Sequence, residues 1–304
     1  MKSLFNLDHT PQIGVAEPVI SGLRVITAPN ASPMTFTGTR TYLLGESEIA
    51  VIDPGPDDPG HFAALISALN GQRVSHIFVT HSHIDHSPLA KRLSQAVDAP
   101  VLGFGPSHAG RSKVMEQLAK QAGLGGGEGI DAAFMPDKVL AGGDVVTGKE
   151  WQLRAVHTPG HLSNHLCFGW EDKLFSGDHV MGWSTTLVSP PDGDLTQFLN
   201  SLQKLQAYKA DLYFPGHGAP LSDAKTMLEH QISHRLHREA QVLSALSDGI
   251  CEVSAITAIL YSEIDQKLWP LAARNVLAHL IDLVERGLVK PVGILRVDGQ
   301  FQLV

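Results

Sequence analysis

Apolar residues gather in short runs that end on polar, glycine-containing turns, and this rhythm dominates the first two thirds of the chain. Residues 74–79, Val-Ser-His-Ile-Phe-Val, form such a run, and a run of that length bounded by polar residues reads as a buried strand. Residues 151–156, 173–176 and 212–214 read the same way. Residues 85–97 instead carry Leu89, Leu93 and Val97 at helical spacing behind Pro88, which suits a first helical turn, so a helix is predicted there. A further helix-like stretch covers 111–122. Strands and helices in alternation predict a layered α/β fold.

The last third changes pattern. Helices are predicted over 223–246, 253–261 and 270–286, the last opened by Pro270, stopped by Gly287 and apolar on one face through Leu271, Val276, Leu280 and Leu283. Short strands are predicted at 288–291, 293–297 and 300–304, with Asp298-Gly299 as a two-residue hairpin turn. Three helices followed by a β-hairpin predict a winged helix. The chain therefore divides into a unit at 1–222 and a smaller one at 223–304.

With 304 residues and 43% hydrophobic content, the chain can bury one large core, or one core plus a small appendage. A net charge of −8 opposes tight non-specific binding to nucleic acid. From Arg235 onward seven Lys/Arg face eight Asp/Glu, so the winged helix lacks the basic excess of a nucleic-acid reader. A packing or dimerisation role, giving a homodimer, is an equal expectation. Arg235 and Arg238 lie one helical step apart and could reach a phosphate, although arginines so spaced usually form a solvated face. The N-terminal residues lack an apolar signal core, and no apolar stretch is long enough to span a membrane, so a cytoplasmic location is expected. Cys167 and Cys251 lie far apart and read as buried free thiols.

Candidate chemistry centres on residues 80–86, Thr-His-Ser-His-Ile-Asp-His, between the strand at 74–79 and the helix after it. Three further elements repeat the plan of a short strand, a glycine and a ligand-capable side chain: Gly160-His161, Gly177-Asp178 and Gly216-His217. His81, His83 and His161 would supply three neutral nitrogens to one metal, and Asp85, His86 and His217 a mixed set to a second. Asp178 is the natural bridging carboxylate. Such ligands without cysteine suit Zn²⁺ first, with Mn²⁺ or Fe²⁺ as alternatives. Two such cations can share and activate a water, which is hydrolytic machinery.

These motifs, in this order, resemble the metallo-β-lactamase superfamily, and the resemblance implies an αββα sandwich with the metals at one edge of two sheets. Asp53, in Val51-Ile-Asp-Pro-Gly55, matches the family's early aspartate, which orders the ligand loop without binding metal. Asp178 stands where the zinc β-lactamases place Cys or Ser. Residues 30–45, 209–218 and 233–239 resemble the group around beta-lactamase-like protein 2, which implies a metal-dependent endoribonuclease on single-stranded RNA. Arg40, where that group has Asn, the longer N-terminal lead and a Pro-Pro-Asp-Gly insertion within 182–194 depart from it.

The function expected is a dinuclear metal-dependent hydrolase in which hydroxide generated at the metals attacks phosphorus or carbonyl carbon. Single-stranded RNA leads as substrate by resemblance; a small-molecule ester, thioester or lactone, as in glyoxalase-II-like or acyl-lactonase relatives, is the alternative. A scaffold with a vestigial site is a third reading, opposed by the complete ligand set. Asp85 and His165 are assigned catalytic roles, His165 as proton donor or oxyanion partner. His179 is expected to donate a supporting hydrogen bond. Residues 123–129, with five glycines, read as a lid or a loose connection. Trp183 and the hydroxyls of 181–191 read as pocket lining, with simple packing of Trp183 as the alternative.

Overall fold

The computed structural model describes residues 4–121, 126–127 and 129–304. Strands β1 (Ala16–Ile20), β2 (Leu23–Thr27), β3 (Arg40–Leu44) and β4 (Glu48–Ile52) run as an antiparallel meander. Helix α1 (Pro59–Leu69) then returns the chain so that β5 (Arg73–Phe78) lies parallel to β4. Helix α2 (Leu89–Val97), β6 (Val101–Gly103), α3 (Lys113–Leu118) and β7 (Lys138–Val139) complete a seven-stranded sheet ordered β1 to β7. The second sheet contains β8 (Val145–Thr147), β9 (Gln152–His157), β10 (Leu166–Trp170) and β11 (Lys173–Gly177). After α4 (Leu195–Ala207), β12 (Leu212–Pro215) joins it parallel to β11, giving the order β12-β11-β10-β9-β8.

Burial explains why these runs are apolar throughout rather than alternating. Strands β3, β10 and β11 are covered on both faces, as their continuous hydrophobic character requires. Between the sheets Phe78 meets Phe168 at 5.1 Å between ring centroids, and Tyr42 meets Phe175 at 5.3 Å. Outside the first sheet, Ile26, Val51 and Ile77 pack under Leu65, Leu89 and Leu93 of α1 and α2. Outside the second, Cys167, Leu174 and Tyr213 pack under Phe198 and Leu202 of α4. Each fully buried Leu, Ile or Phe contributes about 1.5–3 kcal/mol over its exposed state. The result is the αββα sandwich implied by the motifs.

Helices α5 (Ala224–Ser247), α6 (Val253–Leu260) and α7 (Trp269–Glu285), with strands β13 (Val289–Pro291) and β14 (Phe301–Leu303), form the C-terminal part. Its core joins Val242 and Leu246 of α5 to Ile256, Val276, Leu280 and Phe301. Helix α5 is shared, because its early residues Met227 and Leu228 pack on the second sheet's outer cluster with Ala278 of α7. Met115 and Leu118 of α3 reach the C-terminal core in return.

Four expectations are corrected. The helix predicted from residue 85 begins at Leu89, because residues 83–87 form a turn in which His86 N and Ser87 N both donate to His83 O. The strand predicted at 293–297 is absent: pairing stops at Pro291 and resumes at Phe301, with Gly293 at φ 89° and a separate turn closed by Gly299 N on Arg296 O. Arg235 and Arg238 do not form a solvated face: Arg235 is buried, and Arg238 donates to Leu260 O at 2.7 Å. Cys167 is a buried free thiol, but Cys251 is only half-buried. Within the glycine-rich stretch, residues 123–125 and 128 lie outside the described residues. Among the described residues, no helix is long and apolar enough to cross a membrane.

Arg40 is buried and donates from Nη1 to Thr27 Oγ1 and to His9 Nε2, both at 3.0 Å, so it ties down the N-terminal lead. Asn6 N donates to Gly182 O at 2.8 Å, tying that lead to the loop that follows Asp178.

Candidate metal centre

Strand ends of both sheets converge on one edge of the sandwich. The turn after β5 brings His81, His83, Asp85 and His86; the loop after β9 brings His161; β11 ends at Asp178; and β12 leads into His217. Two groups result, His81, His83, His161 and Asp178 in one, and Asp85, His86, Asp178 and His217 in the other. In each, the candidate ligand atoms all lie within 4.8 Å of one another. Asp178 Oδ2 stands 3.9 Å from His81 Nε2, 3.7 Å from His161 Nε2 and 3.3 Å from His217 Nε2, so it faces both groups.

Two glycines make the convergence sterically feasible. A Cβ on Gly216 would lie 2.4 Å from Asp178 Oδ1 and 2.6 Å from His86 Cε1. Gly160, at φ 141°, passes so close to the α4 backbone that a Cβ would lie 2.3 Å from Phe198 Cα. Only a residue without a side chain can bring His161 and His217 to the centre by these paths.

The outward hydrogen bonds dictate which ring nitrogen faces inward. Asp53, at φ 52°, accepts from Thr80 N at 2.7 Å and Thr80 Oγ1 at 2.8 Å, and from His86 Nδ1 at 2.9 Å. Because Thr80 Oγ1 donates its proton to Asp53, it accepts from His81 Nδ1 at 2.9 Å. His161 Nδ1 donates to Leu187 O at 2.8 Å, and His217 Nδ1 to Gly38 O at 3.3 Å. Four imidazoles thus present Nε2 to the centre, and His83 presents Nδ1, which approaches His81 Nε2 to 2.9 Å and His161 Nε2 to 3.0 Å.

The electrostatics separate the two groups. Burial, reinforced by neighbouring imidazoles, holds His81 well below the ordinary histidine range and His83 down at about 3. Burial likewise lowers His161. These three rings are neutral, and their ring nitrogens crowd within 2.9–3.0 Å of His83 Nδ1. A divalent cation relieves that arrangement. Burial opposes charge on His86 and His217 too, yet Asp85 and Asp178 raise His86 well above its usual value and Asp178, with Asp85, raises His217 to about 9. Burial works to raise the two aspartates, but these imidazoles pull both well below the carboxylate range. Asp178 Oδ1 is buried without a hydrogen-bond partner. The donor set therefore fits one cation in each group.

His165 and His179 sit behind the centre. His165 Nε2 accepts from Asp178 N at 3.3 Å while Nδ1 donates to Thr158 Oγ1 at 2.9 Å, and the residue has no exposed surface. Both nitrogens are occupied within the fold, a placement for holding the Asp178 loop rather than for donating a proton to substrate. His179 makes no hydrogen bond from either ring nitrogen and packs on Phe198 at 4.6 Å, contrary to its expected donor role. Trp183 stacks on Phe36 at 5.0 Å between ring centroids. A Cβ on Gly218, next to His217, would lie 3.0 Å from Trp183 Cδ1, so the stacked pair borders the Asp85–His217 side. Ile84, within the ligand run, is 54% exposed, and Met34 is also exposed.

Sequence reasoning missed Thr80, the carbonyls of Leu187 and Gly38, and the phenyl ring of Phe36. Thr80 is adjacent to the ligand run and could have been suspected from its position. The carbonyls left no trace, because any residue type supplies one.

Comparison with known proteins gives a consistent picture. The metallo-beta-lactamase superfamily model matches residues 34–217, and the beta-lactamase associated winged helix domain model matches residues 253–296. A beta-lactamase-like protein 2 homolog from Drosophila melanogaster is 32% identical over 271 residues, covering 85% of this chain and 86% of that protein. An atrochrysone carboxyl ACP thioesterase from Aspergillus fumigatus is 29% identical over 252 residues, covering 80% of this chain and 70% of that protein. In structure, a metallo-beta-lactamase family protein from Thermus thermophilus superposes with a TM-score of 0.74 at 22% identity, covering 94% of this chain and 99% of the other. A beta-lactamase domain protein from Burkholderia ambifaria superposes with a TM-score of 0.78 at 22% identity, covering 98% and 96%.

Proposed function

The chain belongs to the metallo-beta-lactamase superfamily and is a hydrolase, and from that premise we propose that it cleaves an acyl thioester or related ester with two divalent cations, Zn²⁺ first. His81, His83 and His161 would hold one cation and Asp85, His86 and His217 the other, with Asp178 shared. Bound there, the cations supply Lewis acidity and a water of lowered pKa. The observation carrying this reading is the inward set of five imidazole nitrogens, those of His81, His86, His161 and His217 each oriented by an outward hydrogen bond.

The chain's own residues divide the remaining work. Asp178 Oδ2 faces both groups and would be the ligand they share. Asp85, whose side chain is the more exposed of the two aspartates at 20%, sits at the solvent edge with Oδ2 3.1 Å from His217 Nε2, where the ionised carboxylate can accept a hydrogen bond from the incoming nucleophile and orient it. Thr39 Oγ1 reaches Asp85 Oδ2 at 3.4 Å and limits its rotation. His165 acts by position, holding the Asp178 amide. We divide the chain between a catalytic unit at 1–222 and a C-terminal unit at 223–304, with α5 packing on both.

The apolar border favours an acyl substrate. The stacked Phe36 and Trp183 offer hydrophobic surface beside the Asp85–His217 side, and Ile84, next to Asp85 in sequence, is exposed, as an acyl chain needs. Relatives named as acyl carrier protein thioesterases fit that reading. The RNA reading loses its two candidate phosphate contacts, since Arg235 and Arg238 are committed to internal acceptors. The test is a side-by-side assay of metal-loaded protein on an acyl thioester, a lactone, single-stranded RNA and a nitrocefin-type lactam. Turnover of the thioester, lost in the His86→Ala protein, is expected; turnover of RNA alone would overturn the substrate class.

A further inference from the structure

The segment at 182–194 is anchored from behind by the C-terminal helices. Asn275 Oδ1, on α7, accepts from Val188 N at 3.2 Å and from Arg235 Nη1 at 3.1 Å. Arg235, on α5, also donates through Nη2 to Thr186 O. Arg274 donates to Ser189 Oγ at 2.9 Å and to Pro190 O. Between the anchored residues lies Leu187, whose carbonyl accepts the His161 Nδ1 proton at 2.8 Å. Thr186 Oγ1 donates to Asp178 O, also at 2.8 Å. One stretch of three residues is thus held by side chains of α5 and α7 on one side, and on the other it holds two residues of the metal centre.

We propose that Asn275 and Arg235 are positioning residues for His161 and Asp178, and that the C-terminal helices are a structural part of the hydrolytic site. The inference rests on the metal-centre reading above. A ligand shell must keep its geometry to within about 0.5 Å, and hydrogen bonds behind the ligands provide that control. Asn275 suits the task because one carbonyl oxygen meets two donors that would otherwise be buried without a partner. Arg235 is 2% exposed, and its guanidinium spans from α7 to the segment, so neither helix can shift without disturbing Thr186. A nucleic-acid role for this arginine is incompatible with that placement.

The test uses the full-length protein with Co²⁺ as the probe, read by its visible ligand-field spectrum and by competition with a chelator. Asn275→Leu removes the shared acceptor, while Asn275→Asp keeps it. Ile256→Ala, in the C-terminal core away from the segment, serves as a control for general loss of stability. We expect Asn275→Leu to shift the spectrum and weaken Co²⁺ retention about 10-fold, Asn275→Asp to restore both, and Ile256→Ala to lower the melting temperature with an unchanged spectrum. A wild-type spectrum and affinity in folded Asn275→Leu would overturn the coupling, as would an equal loss in Ile256→Ala. If Asn275→Leu does not fold, Asn275→Ser and Arg235→Lys carry the same expectations. Failure of the wild-type protein to take up Co²⁺ would instead overturn the metal centre itself.

Discussion

Replacing Asp53 by Asn tests whether the carboxylate sets the ring tautomers of the centre. Asn has the same shape and tolerates the left-handed backbone found at φ 52°, so backbone strain does not enter. Asp53 accepts three hydrogen bonds, from Thr80 N, Thr80 Oγ1 and His86 Nδ1. An amide cannot accept all three. If its oxygen stays on Thr80 N, its NH₂ faces Thr80 Oγ1 and His86 Nδ1. His86 must then carry its proton on Nε2, and Thr80 must turn its hydroxyl towards His81 Nδ1, which moves the His81 proton to Nε2 as well. Two inward lone pairs are lost. If the amide flips, its NH₂ faces Thr80 N–H, and a buried donor without a partner costs about 1–3 kcal/mol. Either outcome corresponds to a loss of about 10–100-fold in metal affinity, or about 1.4–2.7 kcal/mol. Zn²⁺ competition against a chromogenic chelator measures the loss, with a urea melt to establish folding. Two equivalents bound at wild-type affinity in Asp53→Asn would refute the tautomer argument.

Two further outcomes are expected. Gly216→Ala places a Cβ against Asp178 Oδ1 and His86 Cε1, so the variant should lose metal and hydrolysis together, as elemental analysis and rate assays would show; full metal content would contradict the close approach. Acid should destabilise the fold through its buried neutral histidines. Burial lowers His61 to about 4, and burial with nearby cations, Arg235 first, holds His279 well below its usual value. Both are bases with depressed folded values, so the unfolded chain binds more protons below about pH 6.5, and stability present above that pH falls as pH drops. His61 alone accounts for about 3 kcal/mol between pH 6.5 and 4, at about 1.4 kcal/mol per pH unit. Urea melts at pH 7.5 and 5 should show the loss, and a smaller one in His61→Gln; identical slopes in the two proteins would contradict the assignment.

Much of the sandwich was legible because its strands are buried on both faces and read as unbroken apolar runs, as at β10 and β11. The two metal-binding groups were legible because each donor follows a strand end within a few residues, often behind a glycine. The start of α2 was not, since Asp85 and His86 turn inward and the backbone closes on His83 O before the helix begins. Nor were the roles of Arg235 and Asn275. They bond each other across 40 residues, their other partners here are main-chain groups 49 and 87 residues away, and no local periodicity records such contacts. The same holds for His165: its neighbourhood in sequence pointed to proton transfer, while its hydrogen bonds to Thr158 and Asp178 point to support.

The central claim, a two-cation hydrolytic centre, is tested most directly by anomalous X-ray diffraction at the zinc edge from crystals of the zinc-loaded protein. The account requires two peaks, one among His81, His83 and His161 and one among Asp85, His86 and His217, with Asp178 touching both. A single peak, or zinc bound only elsewhere on the surface, would contradict it.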